Sequence, residues 1–545
     1  MPDIAQEPAA PPNRRWDLRR MPALLACGLL TALAALSAVN SFIVHMTPSI
    51  AIYLLQARTF VETLNRYTLS WDNKGILLMF LLAPAVRLFG PTVWAAALVQ
   101  ACAYAVAFYF LCRILRSCAP RASSWLVVLI GICVVFSSNL WGAKGRPEDF
   151  ALALCAVCLY AALQARPGWW IAGGAMVGCC AIMKITLVAA PGAVLFAALV
   201  KDALQPATSE PRRSFASALF GNLARIAAGF LVVVGLALVW LALFDDVGRC
   251  WLQTVAWPLR SRGHSMRDFQ LYASAARLIC ACRLEFLLAG SVAGLLYGWH
   301  KGFGRAALLS GVFLAAEFLR ITAEGSQFPY LLTLMIIPML FGASLFGCGG
   351  NGFARRSLAW IVPLVLLAPV LLPACRQQAT AFDLRAVRRL PSPSEYLAER
   401  MHPLYRSGEN VLVTFNENHI LLLLNAPRPE PILQLDFVPG RSPDGEQLRT
   451  ARHYADFPPD WIVTHHSAKE PVEYKTLGWL DGPYYVYLRP SETALKTQAK
   501  QISATPPCAG RDLTPMVPTQ RLYRLEVDIG PMQAWRLIPA AKAAE

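Results

Sequence analysis

The residues with chemistry to offer stand at the edges of long apolar runs. Asp72 and Lys74 sit in "SWDNKG", directly before the apolar stretch 75–90, and Arg58 and Glu62 precede them. Lys144, Arg146, Glu148 and Asp149 fall in "KGRPED", Lys184 interrupts "AIMKITLVAA", and Arg320, Glu324 and Tyr330 flank the later runs. Ionisable groups in such places are costly unless paired or wet, which makes each a functional candidate. A cleft lined by several cations and a few carboxylates suits a phosphorylated substrate that must also lose a proton. Ammonium and guanidinium groups hold phosphate oxygens, and a carboxylate accepts a hydroxyl proton.

Each of these residues also has a plain structural reading. Asp72 and Lys74 would form a surface ion pair; "GRPEDF" would start a helix, with Pro147 in the first turn and Glu148 and Asp149 favouring the dipole. Lys184 would snorkel to an interface, and Glu317 and Arg320, three apart, would neutralise each other on one helix. The adjacent His465 and His466 lack ligand spacing. The chain has no Walker loop, dinucleotide fingerprint, zinc spacing or nucleophile elbow. No cofactor or metal ligand set is expected, a divalent cation being left open, and no nucleic-acid partner is expected.

The elements that must position these groups are membrane helices. The 545 residues are 56% hydrophobic and only 15% charged, with a net charge of +16, a membrane protein's balance. Runs such as "IAAGFLVVVGLALVWLALF" reach the roughly 20 residues that cross a bilayer core of about 30 Å. Length and flanking charge place spans near 21–44, 92–112, 122–141, 149–165, 169–184, 186–200, 225–244, 284–299, 306–321, 328–347 and 357–374, about eleven crossings, with 12 or 13 as the alternative counts. Residues 75–90, with Pro84, Arg87 and a terminal Gly90-Pro91, make about 24 Å of helix and are expected to lie along the surface.

That choice leaves residues 1–20 as a cytoplasmic tail and 21–374 as the membrane domain, with outer loops 45–91 and 245–283. It puts the basic clusters Arg113/Arg116/Arg121, Lys201/Arg212/Arg213/Arg225, Lys301/Arg305 and Arg355/Arg356 inside. It also puts six arginines of the loop 245–283 outside, which an anionic lipid or lipid phosphate would explain. Most of the fifteen cysteines fall in apolar runs and act as small hydrophobes. Residues 375–545 change character: "NVLVTF", "PILQLDF", "DWIVTH", "YYVYLRP" and "RLYRLEV" read as short strands, with a helix near "NENHILLLLN". The expected fold is therefore a polytopic α-helical membrane protein with a C-terminal, extracytoplasmic (periplasmic) α/β domain, in the cell's inner or plasma membrane.

The order of "PSIAIYLLQARTFVETLNRYTLSWDNKG", "WGAKGRPEDFALAL", "WWIAGGAMVGCCAIMKITLVAAPGAVL" and "EGSQFPYLLTLMIIP", followed by the α/β tail, resembles the GT-C superfamily of membrane glycosyltransferases. Within it the similarity is to the family-39-like branch of protein O-mannosyltransferases and aminoarabinose lipid A transferases. The resemblance implies transfer of a sugar from a polyprenyl-phosphate donor to a lipid, glycan or protein acceptor at the extracytoplasmic face, with inversion. It implies that Lys74, Arg146 and Lys184 lie near the donor phosphate; Arg58, from its place in the first outer loop, is a further substrate-binding candidate. Tyr330 falls in an aromatic motif, and Glu148/Asp149 match an acidic position.

One departure stands out. The family places its catalytic aspartate where this chain has Ser49 or Ile50, and a serine is no general base at neutral pH without one of its own. Asp72, Glu62 or Glu148/Asp149 takes the role, or the alignment slips, or the chain is a non-catalytic relative. Asp72 and Glu148 are the favoured bases. A transporter or lipid flippase is the rival reading, since buried charges among many spans describe it as well.

Overall fold

The computed structural model describes residues 48–69, 74–118, 146–204, 215–258, 269–324, 329–347, 361, 365, 393–413, 419–426, 460–465, 511–512, 522–528 and 532–537. The stretches expected to span at 21–44 and 122–141, nearly all of 357–374, Asp72, and the runs "PILQLDF" and "YYVYLRP" lie outside them.

Two helices, α1 (Pro48–Thr63) and α2 (Leu77–Phe89), come first among the described residues. Pro84 lies inside α2, which buries Leu78, Met79, Leu82, Ala85 and Val86 on one side and exposes Leu81, Leu88 and Phe89 on the other. Thirteen residues make a helix of about 20 Å, short of a bilayer core. The long helices follow: α3 (Val93–Cys118), α4 (Pro147–Gln164), α5 (Pro167–Met183), α6 (Ala189–Leu204) and α7 (Phe215–Phe244). After the short α8 (Val247–Trp251) come α9 (Phe269–Ala281), α10 (Glu285–His300), α11 (Gly304–Glu324) and α12 (Ile336–Ser344). Among the described residues, five helices are long and apolar enough to cross a membrane, and α9 with α10 adds a pair bent by 103°. Leu231, Val232, Leu236, Val239 and Leu243 of α7 face outward, as a helix bounded by lipid allows.

Helices thus stand on the expected stretches between 92 and 112 and between 149 and 321, while the expected span 328–347 is a 3₁₀ turn, Pro329–Met335, followed by the nine-residue α12; two further differences stand out. Helix α7 begins ten residues before the expected 225, so Arg225 lies within it, its guanidinium donating to Asn222 Oδ1 at 2.7 Å. The segment 245–283 is not a plain loop: α8 runs into a π-helical turn, Leu252–Ala256, and α9 follows. Counting its arginines hid an amphipathic pattern, since Ala275, Leu278 and Ile279 are buried in the same segment.

Helices α5 and α7 meet backbone to backbone. A Cβ on Gly174 would collide with the carbonyl of Ile226, and one on Gly229 with that of Ile171. Gly174 and Gly178 form a small-xxx-small stripe, the pattern by which membrane helices approach closely.

In the C-terminal segment the described strands form one five-stranded sheet, order β1-β2-β5-β4-β3. They are β1 (Val411–Val413), β2 (Trp461–His465), β3 (Arg511–Asp512), β4 (Leu522–Asp528) and β5 (Met532–Leu537). Only β1 and β2 pair in parallel. Strand β5, "MQAWRL", was not expected from the sequence; its place comes from pairing on both sides. Helices α13 (Pro393–Met401) and α14 (His419–Leu423) cover a small core in which Trp461, Val463, Ile420 and Leu397 meet Leu55 of α1.

Gly174→Val is expected to force α5 and α7 apart and to lower the stability of the solubilised protein by about 1–3 kcal/mol. Gly235→Ala, whose added Cβ meets nothing within 4 Å, should leave the melting curve in place. Equal melting of the two variants would contradict the close packing.

Candidate functional site

Helix α4 starts where a carboxylate is most welcome. Arg146 is extended as the N-cap, Pro147 opens the first turn, and Glu148 and Asp149 follow it, at the positive end of the helix dipole. Both acids are nonetheless buried, so the dipole alone does not account for them. Asp149 accepts from the Tyr104 hydroxyl at 2.6 Å, from Gln100 Nε2 at 3.1 Å and from the Arg146 peptide N–H at 3.3 Å. It is a cap tied to α3, with both oxygens engaged.

Glu148 points into a different network. Helix α5 ends at Met183, Lys184 is extended, and a 3₁₀ turn, Ile185–Val188, leads into α6. This break inside an apolar run turns Lys184 inward. Its ammonium lies 2.7 Å from Glu148 Oε1 and 2.9 Å from Glu324 Oε2. The other oxygen of Glu324 accepts from Thr186 Oγ1 at 2.7 Å and from Arg320 Nη1 at 2.9 Å. Arg320 Nε pairs with Glu317 Oε2 at 2.8 Å, and its Nη2 donates to the Leu331 carbonyl at 2.9 Å. The side chains of Glu148, Lys184, Glu317, Arg320 and Glu324 are all 7% exposed or less. Lys184 therefore does not snorkel: it is held between two carboxylates. The Glu317–Arg320 pair expected from their spacing is present, but it is one end of a longer chain.

The segment between α1 and α2 is fastened beside this network. The Gly75 peptide N–H donates to the Met183 carbonyl at 2.6 Å, and a Cβ at Gly75 would strike the Ile182 carbonyl. Only glycine permits that approach. Lys74-Gly75 and Met183-Lys184 are thus neighbours across one hydrogen bond. The Lys74 carbonyl itself accepts from the guanidinium of buried Arg66 and, at 3.3 Å, from the Tyr67 hydroxyl.

The structure thus brings Lys74, Arg146, Glu148 and Lys184 to one end of the helices α4 and α5, with the turn Pro329–Met335, which carries Tyr330, gripped by Arg320. It does not bring Arg58 there. Arg58 Nη2 donates to the Ala426 carbonyl at 2.9 Å, and burial lowers its guanidinium from the ordinary value, against the pull of Glu62 and Tyr405. Arg58 ties α1 to the C-terminal segment because Leu55, one turn earlier, already packs there. Asp72 lies outside the described residues. Arg66, Thr186 and the full reach of Glu324 were missed in the sequence. The signal for Glu324 was its four-residue spacing from Arg320 in an otherwise apolar helix.

Among the described residues no three carboxylate, imidazole or thiol side chains converge as a metal site. Glu148 and Glu324 meet across the Lys184 ammonium instead.

These features define a multi-pass helical membrane protein with a buried, ion-paired site where several helices end. Neither a family model nor a curated protein matches the sequence. The fold is that of ArnT from Cupriavidus metallidurans, whose crystal structures, bound to undecaprenyl phosphate and in the apo state, each align with a TM-score of 0.51. Identity is 15% and 16%; the alignments cover 80% and 82% of this chain and 92% and 94% of ArnT.

Removing Lys184 would leave buried Glu148 without its ion-pair partner and Glu324 with Arg320 alone. Lys184→Met is expected to destabilise the protein by about 3–5 kcal/mol, seen as a lower melting temperature in detergent, and Glu148→Gln in the same chain should recover part of the loss. A Lys184→Met protein as stable as wild type would mean that the network is not held by charge.

Proposed function

We propose that this protein is a glycosyltransferase that takes a sugar from a polyprenyl-phosphate donor and passes it to a hydroxyl-bearing acceptor at the extracytoplasmic membrane face. The observation that carries the reading is the Glu148–Lys184–Glu324–Arg320 network beside the Lys74 loop, in a fold whose relative ArnT has been crystallised with undecaprenyl phosphate.

In this reading Lys74 and Arg146, both half-buried, bind the donor phosphate. Tyr330, on the turn held by Arg320, borders the donor. Glu148 is the base. One of its oxygens is fixed by Lys184, while Oε2 accepts no hydrogen bond among the described residues. The acceptor hydroxyl attacks the anomeric carbon, its proton passes to Glu148, and the bond to the donor phosphate breaks with inversion. Polyprenyl phosphate leaves with its growing charge opposed by the two cations. Lys184 acts on this chemistry through Glu148, keeping the carboxylate ionised and oriented. Asp149, occupied by its cap bonds, is a supporting residue, and Asp72 is the alternative base. The membrane domain is assigned to residues 21–374 and the extracytoplasmic unit to 375–545, with α2 lying on the membrane surface.

The test supplies polyprenyl-phosphate sugars and candidate acceptors (lipid A, glycans, peptides) to the purified protein. Glu148→Gln is expected to reduce turnover by about 100-fold or more with donor binding retained, and Lys74→Ala to weaken donor binding. Wild-type turnover in both Glu148→Gln and Asp72→Asn would remove the proposed base.

A further inference from the structure

The loop that carries Lys74 is held from a distance by a single carboxylate. Asp245 follows directly on α7, and its two oxygens gather five hydrogen bonds. Oδ2 accepts from the peptide N–H of Arg66 at 2.7 Å and of Tyr67 at 2.8 Å. Oδ1 accepts from the Thr68 N–H at 3.3 Å, the Thr68 hydroxyl at 3.2 Å and the Asp246 N–H at 2.9 Å. Three consecutive peptide donors wrapped on one anion form a nest, and here the anion is a side chain 177 residues along the chain. The segment after it closes the other side. Arg249 Nη1 donates to the Thr68 carbonyl at 3.2 Å, and Gln253 Nε2, buried on the π turn, to the Tyr67 carbonyl at 2.8 Å. Such π turns recur at functional sites.

What lifts this above a simple loop anchor is where the two residues on Asp245 Oδ2 send their side chains. The Arg66 guanidinium and the Tyr67 hydroxyl both donate to the Lys74 carbonyl. One residue later, Gly75 is bonded to Met183, next to Lys184.

We propose that Asp245 is a positioning residue for Lys74. It sets the backbone of Arg66 and Tyr67, whose side chains fix the Lys74 carbonyl and so the direction from which the lysine meets a lipid phosphate. This inference rests on the reading of Lys74 as a phosphate ligand given above. Asparagine is not equivalent at the position, because its amide N–H₂ would face peptide donors on one side of the nest.

The experiment measures undecaprenyl phosphate binding to the purified full chain in nanodiscs by native mass spectrometry, for wild type, Lys74→Ala, Asp245→Ala and the double variant. Lys74→Ala and Asp245→Ala are each expected to weaken binding on the order of tenfold, and Asp245→Ala to add nothing once Lys74 is alanine. A full extra loss in the double variant overturns the positioning role and leaves Lys74 in place. So does wild-type affinity in Asp245→Ala while Lys74→Ala is weakened. Wild-type affinity in Lys74→Ala overturns the phosphate reading itself, and the inference with it. If Asp245→Ala does not fold, Thr68→Val removes one of the five bonds and carries the same test. Its smaller loss must vanish when Lys74 is alanine, and a loss that persists overturns the proposal.

Discussion

An ammonium buried between two carboxylates, Lys184 between Glu148 and Glu324, is the interaction around which the described site is arranged. Moving any one of these groups out of water costs several kcal/mol, and that cost is offset only when partners are close and the remaining lone pairs are used. Glu324 meets the condition through Thr186 and Arg320, and Arg320 through Glu317 and the Leu331 carbonyl. The chain of pairs therefore joins the start of α4, the break after α5, the end of α11 and the turn before α12. The break after α5 turns the Lys184 charge toward Glu148 and Glu324, and the turn before α12 supplies a carbonyl to Arg320.

Close backbone contact is the second constraint, and it serves the first. The glycines of α5 and α7 let these helices pack without side chains between them, while Gly75 lets the segment between α1 and α2 lie directly on the end of α5. The loop is held at its other end by Asp245. Lys74 and Lys184 are thus carried by short irregular segments, while Glu148, Arg320 and Glu324 stand on α4 and α11. Irregular backbone is tolerated at membrane depth where protein surrounds it.

The sequence made the helical class, most of the helix positions and the candidacy of Lys74, Arg146, Glu148 and Lys184 legible, because apolar run length and misplaced charge are local properties. It also made the Glu317–Arg320 pair legible, since three-residue spacing on a helix fixes a neighbour. It left α9 inside an apparent loop, since six arginines outweighed a buried face of three apolar residues. It misplaced Arg58, whose partner, the carbonyl of Ala426, is 368 residues away and a main-chain atom that no residue type announces.

By itself the sequence determined that this chain lies in a membrane and that a few charged residues must be paired or functional there, because desolvation penalises a charge whatever its partner. Only the tertiary structure decided which partners they take. It gave Asp149 to a cap and Glu148 to Lys184, though the two acids are adjacent, because successive residues on a helix point about 100° apart and meet different neighbours. It also turned Asp245, one of two adjacent aspartates at the end of an apolar helix, into the anchor of a loop 177 residues earlier, through peptide groups that every residue possesses.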